Sequence, residues 1–522
     1  MERRAFIGTG AALTAATLTS CQGGAKGAAP GSTGSGGDKN GQGTTGRGTG
    51  DRAAAPANWS ALGRDLDGTL VRPGDSSWRS ASRLYNTRFD GLKPAAVAYV
   101  KHTEDIRSAL AYARTHRIPV SVRGGGHSYA GWSSGNGRLI VDTSRMAGIR
   151  VSGSQAVVGA GAKLIEVYRA LAAKGATIPA GSCPTVGVAG LALGGGHGVT
   201  SRAYGLTCDS LTGLRLVTAD GRRLTVDAKE HPDLFWALRG AGNGNFGVVT
   251  ELHFRTHPAP QGVAGYMSWP WSRAADVLKA WQQWGPDQPD EIWSSLHLAN
   301  VPGSTPTVSV AAFSLGTYGG LQNAVDRLAD RIGAPARSVS LKRRTYRESM
   351  EVYAGCSGFT DAQCHLPGDT PGRTAQGALG RETYAAHSDF FDRSLSAAGV
   401  SALLAQVKNV TAGSGSVALT ALGGAVNRVD PTATAFVHRR SRMLAQYIAA
   451  WPAGSSGSGA RAWLDRAHRA MRPHASGAAY QNYTDPTLKN WRTAYYGDAA
   501  PRLKKLKQRY DPDGFFDFPQ SL

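Results

Sequence analysis

The sequence predicts an α+β protein with two domains of mixed helix and sheet. The chain has 522 residues, more than a single hydrophobic core usually holds. From about Lys93 to residue 259, apolar runs of strand length alternate with segments of helical periodicity. After about Pro260 the chain becomes rich in aromatic residues, between further strand and helix patterns. This change in residue composition predicts a second domain.

Local signals predict the elements of the first domain, 58–259. Residues 95–100 form an apolar run typical of a strand, and Thr103 followed by two acids predicts a helix start, since acids suit the first turn. A second helix is predicted near 163–174, where apolar residues recur with helical spacing. Further strands are predicted at 118–124, 138–144, 156–162 and 247–257, with a hairpin at 214–226 that turns at Asp220-Gly221.

The second domain, 260–455, is predicted to combine a sheet with helices. Residues 307–318 predict a strand, and 321–333 predict an amphipathic helix that ends at Gly333. The segments 416–429 and 434–440 predict further strands. From about Gly459 the pattern turns helical, which begins a C-terminal segment, 456–522.

The first residues predict export. Arg3-Arg4, followed by a weakly apolar stretch, resembles a twin-arginine signal over 1–21, and that stretch is too short to span a membrane. Leu18 to Cys21 resembles a bacterial lipobox, so the only membrane contact we expect is a lipid anchor at Cys21. The alternative is an ordinary N-terminus with a chance arginine pair. Residues 22–57 are rich in Gly, Ser, Thr and Ala, which predicts a disordered linker.

Charge and cysteine content restrict the function further. The formal net charge is +21, but the basic residues are scattered and no nucleic-acid motif is present, which indicates solvated basic faces rather than a nucleic-acid partner. Cys356 and Cys364 lie close enough in sequence to pair in an exported protein, with two free thiols as the alternative. Cys208 is predicted to be buried, and Cys183 lacks the spacing of a metal site, so no metal is predicted.

Glycine tracts carry the strongest functional signal. VRGGGHSYAGW (122–132) and LGGGHG (193–198) each place three glycines before a histidine. Glycines allow backbone N–H groups to approach a phosphate or a flat ring closely. A third tract, GNGNFG (242–247), matches the dinucleotide fingerprint, but it follows a helix and precedes a strand, the reverse of the required order. A nicotinamide-binding Rossmann domain is therefore excluded.

Together with AGSCPTVGVAG (180–190), HPDLFWALRGAGNGNFGVVTELHFRTHP (231–258) and YQNYTDP (480–486), these tracts resemble the berberine-bridge-enzyme-like flavoprotein oxidases, of the vanillyl-alcohol-oxidase type of FAD-linked oxidases. The similarity runs from about Leu92 to the C-terminus. It implies a PCMH-type FAD-binding domain of two α/β subdomains over 58–259. It also implies a substrate domain over 260–455, with an antiparallel sheet flanked by helices, and a segment, 456–522, that returns to the FAD domain.

The resemblance also implies FAD held by two covalent bonds, from His127 to the 8α-methyl and from Cys183 to ring carbon C6. A neutral imidazole and a thiolate are nucleophiles suited to an electron-poor ring; the alternatives are a core histidine and a buried cysteine. His197 receives no covalent role, and packing or a hydrogen bond is expected there. The other residues predicted to contact the cofactor are Arg123, Gly124, Gly125, Gly126, Ser128, Gly187, Val188, Gly190, Gly194, Gly195, Gly247 and Val249.

Tyr480 and Tyr483 match the family's Y-x-N-Y element. The resemblance implies that Tyr483 is the base and that Tyr480 lines the pocket; the alternative is two packing tyrosines. Treated as an extended segment, the two would face opposite ways, so only one should meet the flavin. As a base near neutral pH, Tyr483 needs a cation or hydrogen bonds that the sequence does not identify. Val186 corresponds to the family's oxygen gatekeeper, where valine is typical of oxidases.

The sequence therefore predicts an exported oxidase that transfers a hydride from a substrate alcohol to FAD, with O2 as the electron acceptor and H2O2 as product. The alcohol is a small molecule, either a sugar or oligosaccharide or a secondary metabolite. The alternatives are a dehydrogenase with another acceptor and a non-catalytic ligand-binding lipoprotein. Trp269, Trp271 and Trp293 are candidates for stacking on sugars, although core packing is favoured for most of them. Oligomeric state is not predicted.

Overall fold

The computed structural model describes residues 58–522. The predicted export signal, Cys21 and the linker lie outside the described residues. Between 58 and 522, no helix combines the length and the apolar character needed to cross a bilayer.

The first half of the described chain contains two main sheets. Its strands are β1 (Thr69–Val71), β2 (Ala96–Tyr99), β3 (Val120–Arg123), β4 (Leu139–Asp142), β5 (Ile149–Ser152), β6 (Gln155–Gly159), β7 (Ala176–Thr177), β8 (Leu211–Val217), β9 (Arg223–Asp227), β10 (Val248–Arg255) and β11 (His257–Pro258). A mixed four-stranded sheet has the order β1-β2-β4-β3, and an antiparallel five-stranded sheet has the order β5-β6-β10-β8-β9. These two sheets, with their helices, correspond to the two α/β subdomains that the resemblance implies.

Helices cover these sheets. They are α1 (Trp59–Asp65), α2 (Trp78–Ala81), α3 (Thr103–Thr115), α4 (Leu164–Ala172), α5 (Val188–Leu193), α6 (Ser201–Tyr204) and α7 (Pro232–Leu238). Helix α3 begins at Thr103 with two acids in its first turn, as predicted, and buries one apolar face that includes Ile106 and Leu110. Helix α4 buries Leu164, Val167 and Leu171 in the same way.

The second half is built on one antiparallel sheet of seven strands. They are β12 (Gly262–Trp269), β13 (Ile292–Asn300), β14 (Thr307–Ser314), β15 (Ser338–Arg344), β16 (Tyr384–Phe391), β17 (Ser414–Ala421) and β18 (Met443–Ala450), in the order β15-β12-β14-β13-β17-β18-β16. The helices are α8 (Ala274–Trp284), α9 (Tyr318–Ile332), α10 (Tyr346–Tyr353), α11 (Ala397–Lys408), α12 (Ala425–Arg428) and α13 (Ser458–Met471). Helix α9 ends at Gly333, in the left-handed conformation, as predicted.

The two faces of this sheet have different surroundings. On strand β13, Leu296 packs into a core with helix residues such as Trp281 and Trp463. Trp293, Ser295 and His297, at alternate positions of the same strand, line a cavity instead. The period of two along each strand therefore divides the sheet into a face covered by helices and a face that is open to the site.

The predicted strand at 434–440 is wrong: these residues form an irregular segment before β18. Tertiary contacts hold it there. The Arg439 guanidinium donates to both carboxylate oxygens of Asp209, at 2.8 and 2.7 Å, and its side chain is fully buried. This bidentate pair joins the second half to the 3₁₀ turn Thr207–Ser210 of the first half.

The C-terminal segment contacts both halves. Helix α13 packs on the seven-stranded sheet and ends at Met471. The chain returns to the first half only after this helix. The 3₁₀ turn Gln481–Tyr483 and the helices α14 (Trp491–Tyr496) and α15 (Ala500–Tyr510) follow. Cys356 and Cys364 form a disulfide, and Cys208 is a buried free thiol. Of the two alternatives for Cys356 and Cys364, a disulfide or two free thiols, the structure therefore has the disulfide.

Replacing Arg439 by Met should destabilise the protein by about 3–5 kcal/mol, because the change leaves the Asp209 carboxylate buried and unpaired. Urea unfolding followed by tryptophan fluorescence measures this. The matched control is Arg428→Met, since Arg428 pairs with Asp290 at the surface and such a pair contributes about 1 kcal/mol or less. Equal losses in the two variants would contradict the assignment of Arg439–Asp209 as a buried structural pair.

Candidate active site

A cavity of about 990 Å³ lies between the glycine tracts of the first half and the open face of the seven-stranded sheet. Ligand sites of this kind typically span about 300–1,000 Å³, so the cavity suits a large ligand. Its floor is the backbone of the first-half tracts, and its roof is formed by side chains of β13, β17 and β18. The turn Gln481–Tyr483 lies in its wall.

The first glycine tract packs backbone against backbone. A Cβ on Gly125 would lie 2.2 Å from the amide nitrogen of Gly187, so only glycine allows this approach. Beneath the loop, the Lys163 ammonium donates to the carbonyl oxygens of Gly124 and Gly161, at 2.8 and 3.2 Å, and to Ser144 Oγ. Sequence reasoning missed Lys163, whose partners come from three separate segments.

His127 lies at the end of this tract, on the cavity wall. Its Nε2 shares a 2.8 Å hydrogen bond with Thr185 Oγ1, and the Tyr85 ring stacks on the imidazole with centroids 4.1 Å apart. Burial, together with the nearby Lys163 charge, lowers the pKa of His127 to about 3. The imidazole is therefore neutral and nucleophilic at physiological pH.

Most of the residues predicted to contact the cofactor line this one cavity. Besides His127, they are Gly124, Gly125, Gly126, Ser128, Cys183, Gly187, Gly190, Gly247 and Val249, and the predicted oxygen gatekeeper Val186 lies in the same lining. A Cβ on Gly190 would meet no atom within 4 Å, so the cavity is open at that position. These residues, predicted from separate motifs, thus lie together on the floor of one cavity.

Four of the predicted cofactor contacts lie elsewhere. Arg123 is buried outside the cavity, with its guanidinium paired to Asp142. Val188, at the start of α5, belongs to the hydrophobic core. A Cβ on Gly194 would collide with the Asn482 side chain, and one on Gly195 with the Phe436 ring. The glycines of the second tract therefore make room for protein side chains.

Tyr480 and Tyr483 both reach the cavity, so the prediction of opposite faces is wrong. The chain makes a 3₁₀ turn at Gln481–Tyr483, and residues three apart then lie on one side. The two rings are 4.9 Å apart. Tyr480 Oη accepts hydrogen bonds from Gly196 N and Asn482 Nδ2, at 2.8 and 2.9 Å.

Tyr483 has a partner that the sequence did not identify. Its Oη lies 2.8 Å from Nε2 of His197, so the hydrogen bond expected of this histidine is present. Burial raises the pKa of Tyr483 well above its usual range, and the phenols of Tyr129 and Tyr480 raise it further. Burial also lowers the pKa of His197 to about 4. Both groups are thus neutral at physiological pH.

The sheet side of the cavity is aromatic and polar. Trp293 and Trp451 stand beside Ser416, Thr420 and Gln446 in its lining. Of the three tryptophans considered from the sequence, only Trp293 belongs to this lining, whereas Trp269 lies in the core on the helix-covered face. Such a wall offers flat apolar surfaces and hydroxyl or amide groups together.

Glu382 is a further cavity residue that the sequence did not indicate. Burial raises the pKa of its carboxyl to about 8, and the hydrogen bond from Tyr85 only partly opposes this. Because Tyr85 stacks on His127, the carboxyl is linked to the histidine through one ring. At neutral pH Glu382 is therefore protonated.

This raised pKa predicts a pH-dependent stability difference. As the pH rises from 4.5 towards 8, the unfolded carboxyl loses its proton while the folded one keeps it, so wild-type stability falls through this window. Glu382→Gln cannot ionise and should escape this loss. The thermal midpoint of Glu382→Gln minus that of wild type should therefore be larger at pH 8 than at pH 5. If the difference in thermal midpoint between Glu382→Gln and wild type were the same at pH 5 and pH 8, this would contradict the raised pKa of Glu382.

The residues around the cavity fit the flavin that the resemblance implies. The glycine floor accepts a flat ring and a pyrophosphate, and the open space above Gly190 leaves room for them. Several lining residues have a buried polar atom without a hydrogen-bond partner in the described chain, among them Ser133 Oγ, Asn243 Oδ1 and His197 Nδ1. Buried polar groups are normally satisfied, so these atoms indicate a bound polar ligand.

Two family models match the chain. The FAD binding domain model matches residues 94–227, which include both His127 and Cys183. The model named Berberine and berberine like matches residues 479–522, which include the two tyrosines. The two matches thus include the glycine floor of the cavity and the turn in its wall, whereas the strands of the roof lie between them.

Individual proteins are similar over nearly the whole described chain. An uncharacterized FAD-linked oxidoreductase of Bacillus subtilis (strain 168) is 31% identical over 466 residues, 88% of this chain and 97% of the relative. The chitooligosaccharide oxidase of Gibberella zeae is 29% identical over 477 residues, 86% of this chain and 91% of the relative. The solved structure of Physcomitrella patens BBE-like 1 superposes with a TM-score of 0.80 at 30% identity and covers 89% of this chain and 98% of its own.

The resemblance drawn from the sequence is therefore confirmed at the level of fold and of enzyme class. The fold with one mixed and one antiparallel sheet below the cavity, and a seven-stranded antiparallel sheet above it, superposes on the solved structure over 89% of this chain. The chain belongs to the berberine-bridge-enzyme-like family of FAD-linked oxidoreductases.

Proposed function

We propose that this protein is an exported oxidase that holds FAD through His127 and Cys183 and oxidises a hydroxyl group of an oligosaccharide. One observation carries the proposal: a single cavity joins the glycine floor and His127 to a polar and aromatic roof, with Tyr483 between them. A cofactor and a second ligand can therefore share one cavity. Each part of the proposal is supported by a separate feature.

His127 and Cys183 are the attachment residues of the proposal. Both line the cavity, and they come from the two segments that pack together at Gly125 and Gly187. Neutral His127 has Nε2 bonded to Thr185, so Nδ1 is the ring nitrogen that we assign to the flavin. The glycines around them admit the ring and the pyrophosphate. When bound, FAD supplies a two-electron acceptor for hydride removal from carbon.

Tyr483 is the residue that receives the hydroxyl proton of the substrate. It lies in the cavity wall, and its Oη is fixed by His197 at 2.8 Å. Tyr480 holds the turn against the second glycine tract, because its Oη accepts a hydrogen bond from Gly196 N. Positioning of this kind allows general base catalysis, which typically contributes about 10²–10⁴-fold.

An oligosaccharide is the substrate class that the cavity roof favours. Trp293 and Trp451 offer flat faces for sugar rings, while Ser416, Thr420 and Gln446 offer hydrogen-bonding groups for hydroxyls. The similarity to a chitooligosaccharide oxidase supports the same class. A neutral polyol also suits the neutral side chains of His127, His197 and Glu382 in the cavity lining.

O2 is the electron acceptor of the proposal, with H2O2 as the second product. Val186 supports this, because a valine at this position is typical of the family's oxidases and Val186 lines the cavity. Export by the twin-arginine route, with lipid attachment at Cys21, remains a prediction from the sequence. This route carries folded proteins, which suits a protein that loads its cofactor before export.

Covalent attachment gives a direct prediction. Denatured wild-type protein should carry the mass of one FAD, and so should His127→Ala and Cys183→Ala, each through its remaining link. The double variant should lose the flavin on denaturation. Intact-mass spectrometry measures this, and Cys208→Ala, which changes a buried cysteine outside the cavity, is the control. Denatured wild-type protein without added flavin would contradict the proposal.

The reaction gives a second prediction. Mixed without oxygen with a panel of chito-, xylo- and cello-oligosaccharides, the wild-type protein should lose its oxidised-flavin absorbance, and under air it should produce H2O2. Tyr483→Phe should lower the bleaching rate about 10²–10⁴-fold, because the proton acceptor is lost. Bleaching without peroxide would indicate a dehydrogenase. A flavin unchanged by every sugar, but bleached by an aromatic alcohol, would contradict the substrate class.

A further inference from the structure

His197 has no chemical role in the function proposed above, apart from its hydrogen bond to Tyr483. The sequence indicated only packing or a hydrogen bond for it. The structure gives it a specific partner, Tyr483 Oη at 2.8 Å. Its other nitrogen, Nδ1, is buried and has no partner within the described residues. The imidazole therefore lies between the phenol of the proposed base and an unsatisfied edge of the cavity.

We propose that His197 and Tyr483 act as a relay, in which Nε2 of His197 receives the phenol proton as Tyr483 takes the hydroxyl proton of the substrate. The proposal rests on the function proposed above and adds the residue that makes Tyr483 a competent base. In this account Tyr483 contacts the substrate, and His197 acts through Tyr483.

The environment of Tyr483 requires such a partner. Burial raises the pKa of the phenol, and the neighbouring phenols raise it further, so a free tyrosinate is strongly disfavoured. A proton acceptor in contact avoids that state, because the phenol can pass on its own proton while it receives another. His197 Nε2 is at hydrogen-bonding distance for this transfer.

The environment of His197 keeps it available as an acceptor. Burial lowers its pKa to about 4, so Nε2 can be unprotonated throughout the neutral range. The titratable groups that face it are the phenols of Tyr480 and Tyr483, with Tyr129 behind Tyr483. Because the same burial makes the imidazolium costly, His197 passes this proton on, and it is consumed when O2 is reduced to H2O2 in the proposed function, which leaves both groups neutral again.

The step balances. The substrate C–H bond breaks, and its hydrogen and both electrons go to the flavin of the proposed function. The O–H bond breaks, its proton goes to Tyr483 Oη, and the former phenol proton goes to His197 Nε2 while Nδ1 keeps its own. A C=O double bond forms, so the alcohol is oxidised and the flavin reduced.

The test compares two histidines in flavin-loaded protein. His197→Gln should lower kcat for flavin reduction at least about 100-fold at pH 7, with KM within about threefold, and its rate should rise with pH because hydroxide must now assist Tyr483. His257→Gln is the control: His257 also has a pKa lowered to about 4 and bonds a hydroxyl, that of Ser210, but it lies outside the cavity. It should match wild type.

Chemical rescue separates proton transfer from a structural role. Imidazole added to His197→Ala should restore the rate at least about tenfold, whereas it should not restore Tyr483→Phe. Nitrogen NMR of histidine-labelled wild type, assigned by comparison with His197→Gln, gives a readout independent of turnover. It should show an unprotonated His197 Nε2 at pH 7 whose signal shifts in Tyr483→Phe.

Specific results would overturn the relay. They are a His197→Gln variant that keeps the wild-type kcat and pH profile, an imidazole effect no larger than that on His257→Ala, or a protonated His197 Nε2 at pH 7. A wild-type protein that is reduced by no alcohol would instead overturn the proposed function, while the NMR result would still report on the hydrogen bond itself.

Discussion

The site depends on how the turn Gln481–Tyr483 fits into the second glycine tract. Asn482 occupies the space that a side chain on Gly194 would fill, and its amide donates to the Leu191 carbonyl at 2.9 Å. Tyr480 is bonded to the amide of Gly196. These contacts connect the end of the chain to the first half of the molecule and leave Tyr483 facing the cavity.

A second constraint is the low polarity of the cavity surroundings. Burial holds His127 and His197 neutral by lowering their pKa values, and holds Glu382 neutral by raising its pKa. The Lys163 ammonium is kept beneath the glycine loop, where backbone carbonyls satisfy it. Burial therefore keeps these three groups neutral within a lining that also contains Arg138, Arg381 and Asp517, and neutral donors and acceptors suit a flat cofactor and an uncharged substrate. It also means that proton transfer needs a contacting partner rather than bulk water.

The sequence predicted the elements whose signals are local. Helix α3 has acids in its first turn, and helix α9 ends at a left-handed glycine, so both were predicted close to their observed bounds. Segment 434–440 was predicted as a strand because its residues favour strands, but the pair between Arg439 and Asp209 holds it in another conformation. That partner is 230 residues away in sequence, and no local pattern contains it.

The same distinction applies to the site. The first glycine tract and its histidine were identified because their sequence motif is specific, whereas the roles of Gly194 and Gly195 depend on Asn482 and Phe436, far along the chain. The prediction that Tyr480 and Tyr483 face opposite ways was wrong, because it assumed an extended segment. In the observed 3₁₀ turn, residues three apart lie on the same side. The pairing of His197 with Tyr483 spans 286 residues, and only the fold brings them together.

The most direct measurement is a crystal structure of the protein purified with its cofactor. The account predicts electron density for FAD in the cavity described above, with the isoalloxazine ring between the 124–127 loop and Tyr483 and its pyrophosphate over the glycine floor. Density for the ring in any other place, or a cavity filled by side chains with FAD bound elsewhere, would contradict it.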